Sequence, residues 1–551
     1  MFTTYLFIGS DNQFARYINT KYCLLFTVIK PLITEVLFMN RKFNTTGVCV
    51  PHLHYMVDIN NKIMQIKSMI YRGDYFVINR PRQYGKTTTM YMLEQELKDE
   101  YLVLSISFEG IGDKIFENES EFALSFFKLL AKAAKFQDIE ISKFMVQLSN
   151  RINNFDELSE VITELIENSK KEIILFIDEV DKSSNNQLFM SFLGMLRNKF
   201  LLRQQGKDKT FYSVILAGVY DIKNLKIKIR QDDEKKYNSP WNIAVNFKVD
   251  MSFNANEIET MLKEYSQDRN ISMDIKEISE YIYFYTNGYP FLVSKMCQII
   301  DESQLVWNEE NINKAVKELL QENNTLFDDL VKNIENNREF REYIFDLIIN
   351  GTEKTFNIHN PLINLGVIFG YFKNVDSRVK ISNRIFEQML YNYFSSKLEN
   401  KTDMSVYNFK ENFIIKDGLN FEKILLRFQQ FIKEQYSSID SKFIEREGRL
   451  LFLAFIKPII NGVGFDFKEV QISEEKRLDI VITYLSNKYL VELKIWRGEE
   501  YHKKGLNQLS DYMNIQGLDT GFLVIYNFNK GKEYNQERVN YDGKEIFVVY
   551  V

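Results

Sequence analysis

Short apolar runs and longer stretches with helical spacing alternate through the first half of the chain. Aromatic and β-branched residues dominate the short runs, which predict buried strands at 75–79, 101–108, 173–177 and 211–218. After the first run, Met90, Leu93 and Leu97 lie on one face of a predicted helix. Strands and helices that alternate in this order predict a doubly wound parallel α/β sheet.

The pattern changes after residue 255. Residues 255–320 predict helices, and residues 320–398 add strand-like stretches to further helices. This second part is typical of a winged-helix module, although a plain helical lid explains the pattern almost as well. The polar, aperiodic stretch "SSKLENKTDMS" at 395–405 predicts a domain boundary.

Beyond this boundary the chain predicts a second α/β domain. Three successive strands are expected at 465–472, 477–484 and 488–496. A helix follows in "EEYHKKGLNQLSDYMNIQ", and "TGFLVIYNF" predicts a further strand.

The N-terminal region contains an apolar stretch that ends at Phe38. Lys30, Pro31 and Glu35 interrupt it, and a membrane span needs about 20 predominantly apolar residues. No basic segment or small-residue cleavage site precedes it, which also disfavours a secretory signal. We therefore expect neither a membrane span nor a signal peptide here, and we expect the ordered protein to start near Met39.

Composition indicates a globular protein of several domains but says little about its binding partners. The 551 residues are 45% hydrophobic and 14% aromatic, which is enough apolar surface for three or more globular domains. Net charge is −5, so a nucleic-acid contact would need a local basic patch. Cys23, Cys49 and Cys297 have neither a pairing pattern nor metal-ligand spacing, and we expect a cytoplasmic protein.

The first candidate site is the stretch "NRPRQYGKTTTMYML", which joins a predicted strand to a predicted helix. Its Gly85-Lys86-Thr87 matches the end of the phosphate-binding pattern G-x-x-x-x-G-K-[ST]. Gly85 lets the backbone approach phosphate, Lys86 reaches the β- and γ-phosphate oxygens, and the Thr87 hydroxyl binds Mg²⁺. The motif predicts a nucleotide site.

One position departs from that pattern, because Arg80 stands where the first glycine is usual. This position is farther from the bond that is broken, so an arginine is tolerated if the loop enters differently. Arg80 is expected to add positive charge toward the phosphates.

A second element supports the loop. In "KEIILFIDEVDK" an apolar run ends in Asp178-Glu179, as when a central parallel strand brings carboxylates to its C-terminal edge. Asp178 is expected to hold Mg²⁺ through water, and Glu179 to act as general base on the attacking water. The alternative is an acidic pair that merely ends a strand at a solvated loop, which is much less favoured beside the upstream motif.

The C-terminal domain contains a second group of polar residues on apolar strands. Asp479 interrupts one strand, and Glu492 and Lys494 lie two apart on the next, hence on one face. The two carboxylates can hold a hard divalent ion, while Lys494 orients water or stabilises developing charge. Gln508 and Tyr512, four apart, share a helix face toward the same edge. E-x-K alone is common, and a solvated, salt-bridged strand is its default explanation.

The motifs "RPRQYGKTTT", "FIDEVDKSS", "ILAGVYDIKNLK" and "YTNGYPFLVSKMC" together resemble a known family. They look like those of bacterial AAA-ATPase-like proteins, of the additional-strand P-loop class, with a C-terminal PD-(D/E)XK nuclease-like domain. The resemblance runs from about Met39 to the end. In that family an arginine in place of the first loop glycine is usual. The resemblance therefore implies an intact ATP site, and it implies that residues 44–58 pack near the nucleotide.

The resemblance also assigns residues. The implied nucleotide-binding residues are Arg80, Arg82, Gln83, Tyr84, Gly85, Lys86, Thr87, Thr88 and Asp178. The nuclease pattern D…E-x-K…Q-x-x-x-Y is matched by Asp479, Glu492, Lys494, Gln508 and Tyr512. Glu447 in "EREGRLLFLAFI" matches a further metal-binding glutamate less securely.

These observations lead to one expected organisation. We predict an extension outside the core, an AAA-ATPase-like P-loop core, a helical lid, a winged-helix-like segment and an α/β/α nuclease-like domain, at 1–38, 39–255, 256–319, 320–398 and 399–551. The expected cofactors are ATP and Mg²⁺, with Mn²⁺ as an alternative at the nuclease site. The expected partner is nucleic acid, DNA before RNA, with the oligomeric state left open. The alternative function is a nucleotide-dependent switch whose C-terminal domain binds without cleaving.

Overall fold

The structure is a computed structural model that describes most of the chain from Arg41 onward. The described residues are 41–109, 112–180, 187–219, 241–348, 354–399, 413–416, 418–435, 448–449, 451–453, 455–456, 464–467, 480–484, 487–529 and 532–551. The contacts divide the chain into two compact units, 1–330 with 356–386 and 331–355 with 387–551. The predicted extension 1–38 lies outside the described residues. Among the helices that the structure describes, none is long and apolar enough to cross a membrane.

A four-stranded parallel sheet forms the centre of the first unit. Its strands are β1 (Tyr75–Asn79), β2 (Leu102–Ser107), β3 (Ile173–Asp178) and β4 (Ser213–Gly218). They lie in the order β1-β4-β3-β2, so β4 separates the strand before the loop from the strand that ends in Asp178. Beyond β1, the N–H of Val245 donates to the Tyr75 carbonyl at 2.8 Å and extends the sheet by one bridge. The predicted parallel α/β sheet is confirmed.

Helices cover both faces of this sheet. They are α1 (Asn60–Tyr71), α2 (Lys86–Leu97), α3 (Glu119–Ala134), α4 (Ile139–Leu148), α5 (Phe155–Asn168) and α6 (Gln187–Gln204), with short 3₁₀ turns at Asp113–Glu117 and Ser149–Arg151. On β1, Phe76 and Ile78 pack with α1 and α2, while Tyr75 and Val77 face α3 to α6. Because both faces are buried, the strands are nearly continuous apolar runs, which is why the sequence pattern located them.

Helices α7 to α10 follow the sheet as a separate layer of the first unit. They are α7 (Ala255–Arg269), α8 (Ile275–Thr286), α9 (Pro290–Glu302) and α10 (Glu309–Gln321). Asn254 caps α7 in a capping box with Glu257, a pattern that fixes the start of a helix. The predicted helical character of 255–320 is confirmed.

The predicted winged-helix segment contains helices and one hairpin. Its elements are α11 (Thr325–Glu335), α12 (Arg338–Ile348), α13 (Pro361–Ile368), β5 (Phe372–Val375), β6 (Arg378–Ile381) and α14 (Arg384–Glu399). Strands β5 and β6 pair antiparallel. Residues 356–386, including the hairpin, belong to the first unit, whereas α12 and most of α14 belong to the second. The winged-helix identity of this segment stays a prediction, as do the five domain boundaries.

The second unit contains a six-stranded mixed sheet. Its first elements are the short pair β7 (Ile414–Ile415) and β8 (Gly418–Leu419), followed by α15 (Phe421–Gln435). The sheet and its covering helix are β9 (Gly464–Phe467), β10 (Ile480–Tyr484), β11 (Asn487–Ile495), α16 (Glu499–Gln516), β12 (Thr520–Tyr526), β13 (Gln536–Tyr541) and β14 (Lys544–Tyr550). The sheet order is β13-β14-β12-β11-β10-β9.

Two helical layers cover this second sheet. Leu506 and Leu509 of α16 pack against Leu523 and Ile525 of β12. Phe421 of α15 packs on the opposite face, with its ring centroid 4.6 Å from that of Phe522. The described residues therefore form an α/β/α arrangement. The strands predicted in this domain are present near their expected positions, and the hairpin of β13 and β14 was not predicted.

The described chain is anchored from its first residue. The Arg41 guanidinium lies 2.6 Å from a carboxylate oxygen of Asp268 and 2.7 Å from one of Glu264, both on α7. The Phe43 ring packs on Tyr265, with 4.9 Å between the ring centroids. Residues 41–43 thus tie the segment before α1 to the helical layer.

We predict that deleting residues 1–38 leaves the melting temperature and ATP binding of the protein unchanged, because the contacts of Arg41 and Phe43 remain. A deletion to residue 43 is the matched comparison, and it should lower the melting temperature by several degrees. Differential scanning fluorimetry of both truncated proteins measures this. A large loss of melting temperature on deleting 1–38 would show that the extension is structural.

Candidate functional site

The loop between β1 and α2 has the backbone geometry of an anion site. Gln83 and Gly85 both have left-handed φ angles, 54° and 77°. Gly85 is the N-cap of α2, and its carbonyl accepts the first helical hydrogen bond, from Thr89 N at 2.9 Å. A left-handed residue beside helical ones turns successive N–H groups toward one point, and the helix N-terminus adds positive potential there. A Cβ at Gly85 would meet no atom within 4 Å, so the space beside the backbone is open.

The three residues that follow bring the loop to the carboxylate strand. Lys86 is buried, and its Nζ donates to the carbonyls of Arg80 and Pro81 at 3.0 and 2.8 Å, which holds the ammonium across the loop. The Thr87 hydroxyl donates to Asp178 Oδ2 at 2.7 Å. Thr87 and Asp178 are 91 positions apart in sequence, and the order of the sheet brings them together.

The end of β3 places two carboxylates in different environments. Asp178 is buried, and its Oδ1 accepts from the N–H of Glu179 at 2.9 Å. Glu179 has a φ of 55°, unusual for a residue with a side chain, and lies between the buried Asp178 and Val180. A left-handed glutamate costs on the order of 1 kcal/mol, and such strain concentrates at functional positions. Glu179 therefore stands in a left-handed conformation directly after the last residue of β3.

Arg80 and Arg82 interact with different parts of the chain. The Arg80 guanidinium donates to the carbonyls of Asn79 and Val249 at 2.9 and 2.6 Å and lies 4.9 Å from the Phe247 ring centroid. Burial lowers the pKa of Arg80. In this arrangement Arg80 ties the loop to the segment after the sheet, and its contribution at the phosphates stays a prediction.

The other two predicted loop residues face the helices that follow. Arg82 Nη1 forms an exposed ion pair with Asp329 of α11 at 2.9 Å. Gln83 Nε2 donates to the Thr325 hydroxyl at 2.9 Å. The sequence did not indicate these two contacts, because the partners are 247 and 242 positions away from Arg82 and Gln83.

A cavity of about 400 Å³ adjoins the loop. Gln83, Tyr84, Gly85 and Thr88 form its loop side. The side chain of Tyr84 is partly buried there, and its desolvation raises its pKa to about 12. The opposite walls are mainly apolar and come from Met56, Val57, Ile59, Met92, Met251, Phe253, Met261 and Phe291. Such a mainly apolar hollow beside a phosphate loop has the size and character of a small-molecule site.

Residues 44–58 form part of this cavity, as the resemblance implied. Asn44, Thr45 and Thr46 are in its lining. The N–H of Cys49 donates to the Thr88 hydroxyl at 3.1 Å, which fixes the segment against α2. The segment therefore packs beside the loop, and its place near a nucleotide stays a prediction.

The motif "YTNGYPFLVSKMC" supplies the wall from α9, and Gly288 makes this possible. Gly288 has a φ of 71°, and a Cβ there would overlap the Phe253 carbonyl oxygen at 1.7 Å. Phe253 N donates to the Gly288 carbonyl at 2.8 Å, so the two backbones are in direct contact. Only glycine allows this approach, which brings Phe253 and Phe291 to the same cavity. The motif was recognisable in the sequence, but the sequence did not indicate that it would contact Phe253.

One histidine near the loop, His54, has a structural role. His54 is buried, and its Nδ1 accepts from the N–H of Val50 at 3.0 Å. Burial lowers the pKa of this imidazole. Across the residues that the structure describes, no group of three or more His, Cys, Asp and Glu side chains could hold a metal ion.

The second candidate site lies on β11. Glu492 is fully buried, and Lys494 Nζ lies 2.7 Å from its Oε1. Because the strand alternates, both side chains lie on the face that α16 covers. An amine beside a buried carboxylate compensates its charge, and burying the pair is expensive unless it serves a purpose.

Helix α16 brings the other motif residues to the same face. Tyr512 is buried in the core that α16 forms with β12, and Gln508 is half-buried one turn earlier. Toward the start of the helix, Tyr501 and His502 line a small cavity with Lys494 and Trp496. His502 was not singled out in the sequence, because a lone histidine on a helix carries no signal.

Two predicted metal ligands, Asp479 and Glu447, lie outside the described residues. Asp479 directly precedes Ile480, the first described residue of β10, and Ile480 pairs with Val491, the neighbour of Glu492. Of the residues proposed to bind metal or act on the phosphate, the structure describes Glu492 and Lys494.

Comparison with known proteins identifies the first part of the chain. The profile of the AAA-like domain family matches residues 54–394, more than half of the sequence. None of the curated proteins compared with the chain matches it.

Several solved structures are similar in part. A Walker-type ATPase of Pyrococcus abyssi is 14% identical and covers 63% of this chain and 99% of its own, with a TM-score of 0.44. The RuvB Holliday junction branch migration motor of Thermotoga maritima is 12% identical, covers 64% of this chain and 98% of its own, and has a TM-score of 0.31. The ORC2 protein of Aeropyrum pernix is 12% identical, covers 62% and 93%, and has a TM-score of 0.33. At these identities and scores, the likenesses say nothing about a substrate or partner of this chain.

Proposed function

We propose, from the premise that the chain belongs to the AAA-like domain family, that its first unit binds and hydrolyses ATP. The observation that carries the proposal is the hydrogen bond of 2.7 Å between the Thr87 hydroxyl and Asp178. These are the two groups that hold Mg²⁺, directly and through water, in a P-loop site. Mg²⁺ would neutralise charge that develops on the phosphates. Lys86 and the N–H groups at the start of α2 would bind the phosphate oxygens.

The cavity beside the loop supports adenine as the base. Among the residues that the structure describes, no aspartate or glutamate lines it. The N1–H and N2–H₂ edge of guanine presents adjacent donors, for which a carboxylate is a well-matched acceptor. An apolar cavity without carboxylates favours adenine instead. Asn44, Thr45 and Thr46 supply the polar groups at one wall.

Glu179 is the proposed general base. It has a left-handed backbone and directly follows Asp178, whose carboxylate accepts the hydrogen bond from Thr87. A carboxylate at this place can accept a proton from the water that attacks the γ-phosphate.

We propose that the second unit is a metal-dependent nuclease domain of the PD-(D/E)XK type, which acts on nucleic acid and on DNA before RNA. The buried Glu492, with Lys494 beside it on a strand covered by α16, supports this proposal. A divalent cation held by Asp479 and Glu492, with Glu447 as a further ligand, would activate water. Lys494 would orient that water or stabilise charge on the phosphate, and Gln508 would help to position the substrate.

A second function is favoured by one observation. Glu492 is fully buried and lies in an ion pair with Lys494. The same pair can stabilise a domain that binds nucleic acid or protein and does not cleave, with ATP as the switch.

The two functions differ in one measurable property. We expect the purified full-length protein to hydrolyse ATP, and to cleave linear or single-stranded nucleic acid only when Mg²⁺ or Mn²⁺ is present. The experiment incubates the protein with a panel of DNA and RNA substrates, with and without metal and ATP. ATP hydrolysis with binding but no cleavage on any substrate would favour the switch. Absence of ATP binding would contradict the first part of the proposal.

A further inference from the structure

Tyr501 is an exposed aromatic residue with two cations beside its ring. It lies in the first turn of α16, with 48% of its surface exposed. The Arg497 guanidinium carbon is 5.9 Å from its ring centroid, and Lys504 Nζ is 5.3 Å from it. Scattered exposed aromatic residues are common, so a ring with two cations within cation–π distance is a distinct surface feature.

Within the described part of the chain, no carboxylate forms an ion pair with the neighbouring cations. Arg497, Lys503 and Lys504 are exposed, and none of them forms an ion pair with any residue that the structure describes. Glu499 and Glu500 lie in the first turn of the same helix, and Arg497 and Lys504 lie beside the Tyr501 ring. An exposed cation that forms no ion pair within the described residues remains available to an anion from solution.

This surface adjoins the second candidate site. Tyr501 lines the same small cavity as Lys494, Trp496 and His502. The His502 ring lies 5.8 Å from that of Trp496, so an indole and an imidazole form the floor between the tyrosine and the strand. The exposed tyrosine and the Lys494 amine, which is proposed to act on the phosphate, therefore line the same small cavity.

We infer that Tyr501 stacks on an unpaired base next to the phosphate to be cleaved, while Arg497 and Lys504 bind the phosphates on either side. The inference rests on the nuclease function proposed for this site and names its substrate class as single-stranded nucleic acid, or a duplex with unpaired nucleotides. Bases within a duplex have both faces covered by their neighbours, so an exposed ring can stack only on a base that is free of the helix. Cations beside the ring supply the attraction for the backbone that accompanies such a base.

The test measures binding without cleavage. Fluorescein-labelled oligonucleotides are titrated with the full-length protein in EDTA, as single-stranded DNA, single-stranded RNA and a blunt DNA duplex of the same sequence. Tyr501→Ala should weaken binding to the preferred single strand by roughly tenfold, because one base stack is worth about 1–3 kcal/mol. Tyr501→Phe should retain binding, since the ring remains. Binding to the blunt duplex should be weak in the parent and little changed in the variants.

A matched control comes from the first unit. Tyr71 is 40% exposed, with Lys67 Nζ 5.8 Å from its ring centroid, and Tyr71→Ala should leave single-strand binding unchanged. Equal single-strand binding by Tyr501→Ala and the parent, on both DNA and RNA, would overturn the inference. An equal loss of binding to the blunt duplex by Tyr501→Ala would also overturn the inference. A Tyr501-dependent single-strand preference without metal-dependent cleavage would refute the nuclease function and leave the binding site standing.

Discussion

Replacement of Lys86 by alanine is expected to abolish measurable ATP binding. The ammonium is held across the loop by the carbonyls of Arg80 and Pro81, next to the left-handed Gly85. It is thus placed to neutralise phosphate charge in the ground state, and loss of one such charged contact costs roughly 10²-fold or more. Isothermal titration with ATP and Mg²⁺ measures the change. Lys98→Ala is the matched control, because Lys98 is an exposed lysine at the other end of α2.

Glu179→Gln should separate binding from hydrolysis. The amide keeps the size of the side chain but cannot accept a proton, so ATP affinity should stay near that of the parent while the hydrolysis rate falls by about 10²- to 10⁴-fold. Single-turnover hydrolysis together with binding of the same variant gives both quantities. Parent-like hydrolysis by Glu179→Gln would show that Glu179 is not the base.

The second prediction with a large effect concerns the other unit. Asp479→Ala, Glu492→Ala and Lys494→Ala should each remove Mg²⁺- or Mn²⁺-dependent cleavage while ATP hydrolysis continues. The carboxylate variants should lose metal binding, because each removes a hard oxygen ligand. Lys494→Ala should bind the metal and lose mainly the chemical step, by about 10²- to 10³-fold.

Metal titration of each variant beside a cleavage assay distinguishes these outcomes. Glu492 is buried, so Glu492→Gln is added to keep its volume, and circular dichroism establishes that each variant is folded. Lys488→Ala on the same strand is the control for Lys494→Ala, because Lys488 is exposed and donates to Gln516. Absence of metal binding by the folded parent protein would refute the nuclease proposal.

Local sequence alone determined the strands of the first sheet and the residues that stand at their ends. β1 and β3 are buried on both faces, so their residues form nearly continuous apolar runs. Such runs can be recognised in the sequence without knowledge of the fold. The left-handed turn at Gly85 was predictable for a similar reason, since glycine adopts it without a steric penalty. In the second unit, the period of two placed Glu492 and Lys494 on one face, and the structure agrees.

Tertiary structure decided which of these pieces meet. The order β1-β4-β3-β2 brings Thr87 to Asp178, and strand order is not encoded in the periodicity of any one strand. The cavity walls from Met251, Phe253 and Phe291 come from segments more than 150 residues beyond the loop, joined by the close backbone approach at Gly288. Likewise, Tyr501 became a candidate only when folding placed it in one small cavity with Lys494 and brought Arg497 and Lys504 to its ring. Side-chain periodicity reports burial within one element, whereas contacts between distant elements depend on packing of the whole unit, and a single sequence carries no direct record of that packing.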